Sequence, residues 1–181
     1  MMLNREKIHH ILRAAATLTG QASFVMVGSG AMILNARTLP ATMMLTPEVD
    51  IYAPHADDVE LVSEIIDGSL GRDSPFHARF GYFCDGVSPT TAILPAGWEA
   101  RQKTHLTPDD IRVVCPENDD VALSKLCAWR EKDIDWLKVA ARSGLIRVEK
   151  MAERLTDLPI KAPALPVLLD RLASIKAATG R

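Results

Sequence analysis

Long apolar runs are missing from this 181-residue chain. None approaches the ~20 residues that a membrane-spanning helix needs, which excludes that class of protein. Cysteine is scarce: Cys84, Cys115 and Cys127 are odd in number, widely spaced and form no C-x-x-C pair. That excludes a disulfide framework and a thiolate zinc site, and reads as buried thiols in a reducing compartment. Neither sign of charge dominates; 21 basic against 23 acidic residues leave a formal net charge of −2, so no global basic field advertises nucleic acid. Internal repeats and low-complexity tracts are absent. The opening MMLNREKIHHILRAAATLTG carries charges and histidines where a signal peptide needs an apolar core and a cleavage site. The expectation is a soluble cytoplasmic protein with no membrane partner. His9 and His10 are adjacent, so they cannot form the i, i+4 pair a metal prefers on a helix, and they read as surface histidines.

What is present is concentrated between Phe24 and Tyr52. A β-type run, Phe24-Val25-Met26-Val27, breaks at Gly28-Ser29-Gly30 and leads into an apolar helical segment. Small residues opening a helix let backbone N–H groups approach a phosphate. Further on, Glu48-Val49-Asp50-Ile51-Tyr52 reads as a strand with Glu48, Asp50 and Tyr52 on one side and Val49 and Ile51 on the other. Two acids that close repel unless a cation or proton lies between them. A hard divalent ion with oxygen ligands is the natural neutraliser.

The remaining chain fits one domain with one core. Asn4 caps a helix that Gly20 closes. A helix starts near Ala56 and stops at Asp67-Gly68. A turn-rich stretch then yields a strand over residues 78–84, with His77 at its entrance. His77 admits two readings there, a residue tied to a backbone carbonyl or a general base and phosphate contact. Asp85-Gly86 suggests a hairpin turn into a strand over 90–94, and a last strand covers 111–115. One long helix runs from Asn118 or Asp119 to the Ser143-Gly144 stop, carrying Lys125, Arg130, Lys132, Asp133 and Asp135. A short helix follows, and Pro159, Pro163 and Pro166 mark a hinge before a final helix with Leu168, Leu169, Leu172 and Ile175 in an apolar pattern. That helix needs a partner surface, in its own domain or in a homodimer. Boundaries are set at 1–156 for the main domain and 157–181 for the hinge and last helix.

In this order, the Gly-Ser turn and the E-x-D strand resemble the signature of the nucleotidyltransferase superfamily, the polymerase-β-like fold. The first acid is Glu where the superfamily more commonly has Asp, and residues 35–45 form an extra loop. The chain also resembles a bacterial family of uncharacterised nucleotidyltransferase-like proteins through Val27 to Leu34, Glu48 to Tyr52, Ser74 to His77, Leu94 to Trp98 and Asp120 to Asp133. The K-L-x-A-x-R-x-K-D helix is similar to one in nucleotidyltransferase toxins of toxin–antitoxin systems.

The resemblance implies an α+β fold, a mixed central sheet with helices packed on it plus C-terminal helices. It also implies transfer of a nucleoside monophosphate from a nucleoside triphosphate to a protein or RNA hydroxyl. Glu48 and Asp50 would hold Mg²⁺ or Mn²⁺, and Gly28, Ser29, Arg130, Lys132 and His77 would meet the nucleotide. Lys125 and Asp133 would complete the catalytic set. The superfamily's third carboxylate, expected on a neighbouring strand, is not visible; Asp85 is nearest and reads as a turn residue. A catalytically degenerate, antitoxin-like binding protein is the alternative.

Overall fold

The computed structural model describes residues 2–179. Its framework is a five-stranded mixed sheet in the order β3-β2-β1-β5-β4. The strands are β1 (Ser23–Val27), β2 (Glu48–Tyr52), β3 (Phe83–Gly86), β4 (Lys103–Leu106) and β5 (Arg112–Cys115). β1 runs antiparallel to β2 and parallel to β5, β3 is parallel to β2, and β4 is antiparallel to β5. The α+β architecture with a mixed sheet is as expected. So is the first helix, α1 (Arg5–Thr19): the Asn4 side chain accepts from the Lys7 N–H, and Gly20 ends it at φ +70°. Its stripe of Ile8, Ile11, Leu12 and Ala15 is fully buried.

Alternation along the strands sorts the sheet into two unlike faces. Phe24, Met26, Val49, Ile51, Cys84, Val113 and Cys115 join the main core. Against that core pack α1, α2 (Gly28–Asn35) and helices from the second half of the chain. On the opposite face Val25, Val27, Tyr52 and Val114 form a small second cluster with Val59, Val87, Ala92 and Trp98. All three cysteines are free and buried, and burial pushes the Cys115 thiol up to about 12 and the Cys127 thiol up to about 11.

Several local signals lose to tertiary packing. α3 (Val59–Leu70) does not stop at Asp67-Gly68 but continues, because Ile66 and Leu70 both reach the core. Residues 75–80 form a short helix, α4 (Pro75–Phe80), which takes the first three residues of the strand expected over 78–84; Ser74 caps it by accepting from the His77 N–H, with proline in its first turn. β3 therefore starts later and carries Asp85 and Gly86 within the strand instead of in a hairpin turn. The expected strand over 90–94 does not form. Ser88 and Thr90 hydrogen-bond to each other and the Thr91 N–H bonds back to Ser88, curling the segment into a loop. The sheet instead gains β4, a polar edge strand after the one-turn helix α5 (Trp98–Arg101). His10 is also no solvated surface residue: its Nδ1 lies 2.7 Å from the Tyr82 hydroxyl, and its ring packs on Phe76 and Phe80.

The long second-half helix is two helices, α6 (Asn118–Ala128) and α7 (Glu131–Arg142). Trp129 breaks them in a left-handed conformation, φ +52°, and its N–H closes on the Lys125 carbonyl at 2.9 Å. The acids opening α6 are buried in ion pairs: Asp120 meets Arg101 and Arg154, and Asp119 meets Arg147. After α8 (Val148–Glu153), α9 (Leu165–Ala177) buries Leu168, Leu172 and Ile175 against its own chain, while Leu169 stays half-exposed. Arg171 of α9 donates to the Leu126 and Cys127 carbonyls at 2.9 Å each, capping the end of α6, and stacks on Trp129. Among the described residues, no helix is long and apolar enough to cross a membrane.

Two glycines in and beside α3 separate packing from propensity. A β-carbon on Gly86 would sit 1.9 Å from the Ser63 carbonyl oxygen, so α3 lies directly on β3 there; one on Gly68 would meet nothing within 4 Å. Gly86→Ala is expected to destabilise the fold by about 1–3 kcal/mol through forced separation of α3 and β3. Gly68→Ala, on an exposed helical face, is expected to stabilise it by about 0.5–1 kcal/mol. Urea unfolding midpoints that move in the same direction for both would contradict this packing.

Candidate active site

The second sheet face carries the acids. Glu48 and Asp50 leave β2 on the same side, and Asp50 is the register partner of Asp85 on parallel β3. Neighbours in register project to the same face, so three carboxylates occupy one patch. Asp85 is the acid on a neighbouring strand that the sequence reading had assigned to a turn. Burial, followed by the charges of Glu48 and Asp85, pushes the Asp50 carboxyl up to about 6, with Lys125 and Lys132 pulling weakly the other way. Asp85 is also raised, by burial first and then by Asp67 and Glu48.

The Gly-Ser turn lies against this patch. Gly28 adopts φ +65°, and a β-carbon there would come within 2.8 Å of an Asp50 carboxylate oxygen. Only glycine combines that backbone with that approach. No side chain caps α2, which leaves the N–H groups of its first turn for a ligand.

The opposing wall comes from α6 and α7. The Asp133 carboxylate is fully buried and accepts from Lys125 Nζ at 3.0 Å and from Arg130 Nε at 2.6 Å. Burial alone would raise its pKa, but the hydrogen bonds from Arg130 and Lys125 outweigh burial and hold it below the usual range. Asp133 is thus committed to the two cations and fixes them. The Lys125 ammonium also lies 4.9 Å from the Trp136 ring centre. The kink at Trp129 makes this possible, since it brings the start of α7 back beside the last turn of α6.

Two cavities meet between these walls. One, about 390 Å³, is lined by Gly28, Ser29, Asp50, Asp85, Arg130 and the loop at Ala92. The other, about 420 Å³, is lined by Thr42, Met43, Arg72, Asp135 and Trp136, so the loop over 35–45 supplies part of its wall. Ser29, Glu48, Lys125 and Lys132 line both. At their junction Lys132 Nζ lies 3.0 Å from Glu48 Oε1, and Arg72 lies 3.7 Å from Glu48 Oε2.

Of the residues singled out in the sequence, Gly28, Ser29, Glu48, Asp50, Lys125, Arg130, Lys132 and Asp133 converge here. His77 does not: it lies in α4, outside the lining of both cavities. Its Nδ1 accepts from the Asp73 N–H at 3.0 Å and its ring packs on Phe83, so it braces the turn that carries Arg72. Arg72 carries no motif that marks it as a site residue, and Asp85 reads in sequence as a turn residue. The signal for Asp85 was the alternation Phe83-Cys84-Asp85, overridden by the turn propensity of Asp-Gly; Gly86 is needed instead for contact with α3.

The donor set is of the kind a hard divalent cation takes: three carboxylates on one sheet face, with no sulfur or imidazole. Among the described residues, no group of three or more Asp, Glu, His or Cys side chains already has metal-holding geometry.

A carboxyl whose folded pKa is raised binds its proton more tightly when folded. Its contribution to stability is therefore full below the ordinary value of 3.8 and is lost as pH rises to about 6. Asp50→Asn, neutral throughout, is expected to match wild type near pH 4 and to exceed it by about 3 kcal/mol at pH 7.5 in chelator-treated protein. Chemical denaturation at both pH values checks this, and a constant difference between the two proteins would contradict it.

No curated protein and no solved structure matches the chain. Residues 6–162, the sheet and both walls of the cleft included, match the family described as nucleotidyltransferase of unknown function (DUF6036). The chain belongs to that nucleotidyltransferase family.

Proposed function

We propose that the cleft transfers a nucleoside monophosphate from a nucleoside triphosphate to a hydroxyl of a protein or RNA. The observation that carries this reading is the carboxylate face of Glu48, Asp50 and Asp85 beside the uncapped start of α2, opposed by the fixed cations Lys125 and Arg130. Family membership supports the reaction class. Bound at the three carboxylates, Mg²⁺ or Mn²⁺ would supply positive charge to the phosphates and to the attacking oxygen.

The chain's own residues divide the remaining work. Backbone N–H groups at Gly28 and Ser29 and the Ser29 hydroxyl bind the terminal phosphates. The acceptor oxygen forms a bond to the α-phosphorus as the bond from that phosphorus to the bridging oxygen of the β-phosphate breaks. Pyrophosphate leaves with the electron pair. Asp85, in register with Asp50 on the neighbouring strand, takes the hydroxyl proton. Lys125 and Arg130, held by Asp133, meet the charge growing on the leaving group without reorganising. Nucleotide binding without turnover would point to the antitoxin-like alternative.

A thermal-shift screen of the four nucleoside triphosphates, with and without Mg²⁺, is the direct test. A ligand at a hundred times its dissociation constant adds about 2.7 kcal/mol, or roughly 5–10 °C for a domain of this size. The shift is expected to need both metal and nucleotide. Folded Glu48→Ala/Asp50→Ala should lose it entirely, and metal-dependent affinity retained in that variant would refute the assignment. Lys125→Gln, which keeps a donor for Asp133, is expected to weaken triphosphates about tenfold or more and monophosphates far less. Calorimetric titration separates this from equal losses, which would reduce Lys125 to a brace between α6 and α7.

A further inference from the structure

The two lysines shared by both cavities are held differently. Lys125 is buried and locked between Asp133 and the Trp136 ring. The Lys132 side chain is 58% exposed, and its ion pair is with Glu48, an acid of the carboxylate face. Each Glu48 oxygen faces a cation, Lys132 at Oε1 and Arg72 at Oε2. Arg72 has a second anchorage, 4.7 Å from the Phe83 ring centre, whereas Lys132 makes no second hydrogen bond or ion pair among the described residues. Lys132 also stands in the first turn of α7, the end of a helix dipole where a cation is disfavoured.

A divalent ion and the Lys132 ammonium compete for the same Glu48 oxygen, because a carboxylate oxygen 3.0 Å from an ammonium cannot also present its full charge to a metal. We propose that Lys132 is a displaceable counter-ion for Glu48. Metal entry releases it, and the freed ammonium, standing in the wall common to both cavities, turns to the phosphates of the nucleotide. One cation of the cleft is thus fixed and one is exchangeable. This makes metal and nucleotide binding mutually reinforcing, since each favours the arrangement in which Lys132 has left Glu48. The inference rests on the nucleotidyl-transfer reading of the cleft and assigns Lys132 a role in ordering its ligands.

The test is a pair of affinities with opposite expected signs, measured without turnover at pH 8, where Asp50 is ionised. Mn²⁺ alone is titrated by the electron paramagnetic resonance signal of the free ion, and tripolyphosphate with Mg²⁺ is titrated by calorimetry. Lys132→Ala is expected to bind Mn²⁺ roughly fivefold tighter than wild type, from loss of a competing, partly exposed charge. The same variant is expected to bind Mg²⁺–tripolyphosphate roughly tenfold weaker, from loss of a charge-assisted contact. Lys132→Arg should restore both towards wild type. Unchanged or weaker Mn²⁺ binding in Lys132→Ala would overturn the exchangeable counter-ion and leave the metal site standing. Failure of every one of these proteins to bind Mn²⁺ would overturn the metal site and this inference with it.

Discussion

The buried carboxylate of Asp133 is the constraint on which the cleft depends. It is removed from water, so it must be matched by charge, and it is matched by Lys125 from one helix and Arg130 from the turn that starts the next. Taking away one partner of such a group typically costs about 3–5 kcal/mol, because the other charge is left buried and uncompensated. The geometry that satisfies Asp133 requires α6 and α7 to meet at an angle. The left-handed Trp129 provides it, held by Arg171 reaching from α9 to the open carbonyls of α6. The C-terminal helix thereby contributes to a site none of whose lining residues it supplies.

The opposite wall sets a buried acid beside two other carboxylates. Glu48, Asp50 and Asp85 share one sheet face because β2 and β3 run parallel and in register, and Asp50 answers with a raised proton affinity. Gly28 permits the helix start of α2 to sit almost in contact with Asp50. A negative, proton-hungry face thus confronts a positive wall whose cations are already positioned. The proposed metal–polyphosphate ligand rests on this pairing of a negative face with a positive wall. The two cavities share Glu48 and Lys132 in their walls, so the cleft has two volumes with a common boundary.

Much of this was legible in the residues. The Gly-Ser turn, the E-x-D strand and the charged residues of the second-half helices all converge on one cleft. Local signals misled where a residue had a tertiary partner. Asp-Gly at 85–86 reads as a turn, yet the glycine is there because α3 lies against its backbone and the aspartate because a strand continues. His77 admits both a backbone-bracing and a phosphate-contact reading, and its bond from the Asp73 N–H places it on the turn that carries Arg72. The helix over 118–142 is continuous by propensity, and its break is capped by Arg171, whose bonds to the Leu126 and Cys127 carbonyls lie outside any local window.

The sequence alone determined the alternation that puts acids on one strand face, the glycine-rich helix start, the caps of α1 and the apolar stripes of the core, because these depend on spacing along the chain. Tertiary structure decided which third acid joins the patch, that Asp133 is buried and spent on two cations, and that Lys132 meets Glu48 across 84 residues of sequence. Those outcomes depend on strand order, helix crossing and burial. Electrostatic partnership across the fold is a matter of distance in space, which local spacing encodes only for near neighbours such as Arg130 and Asp133.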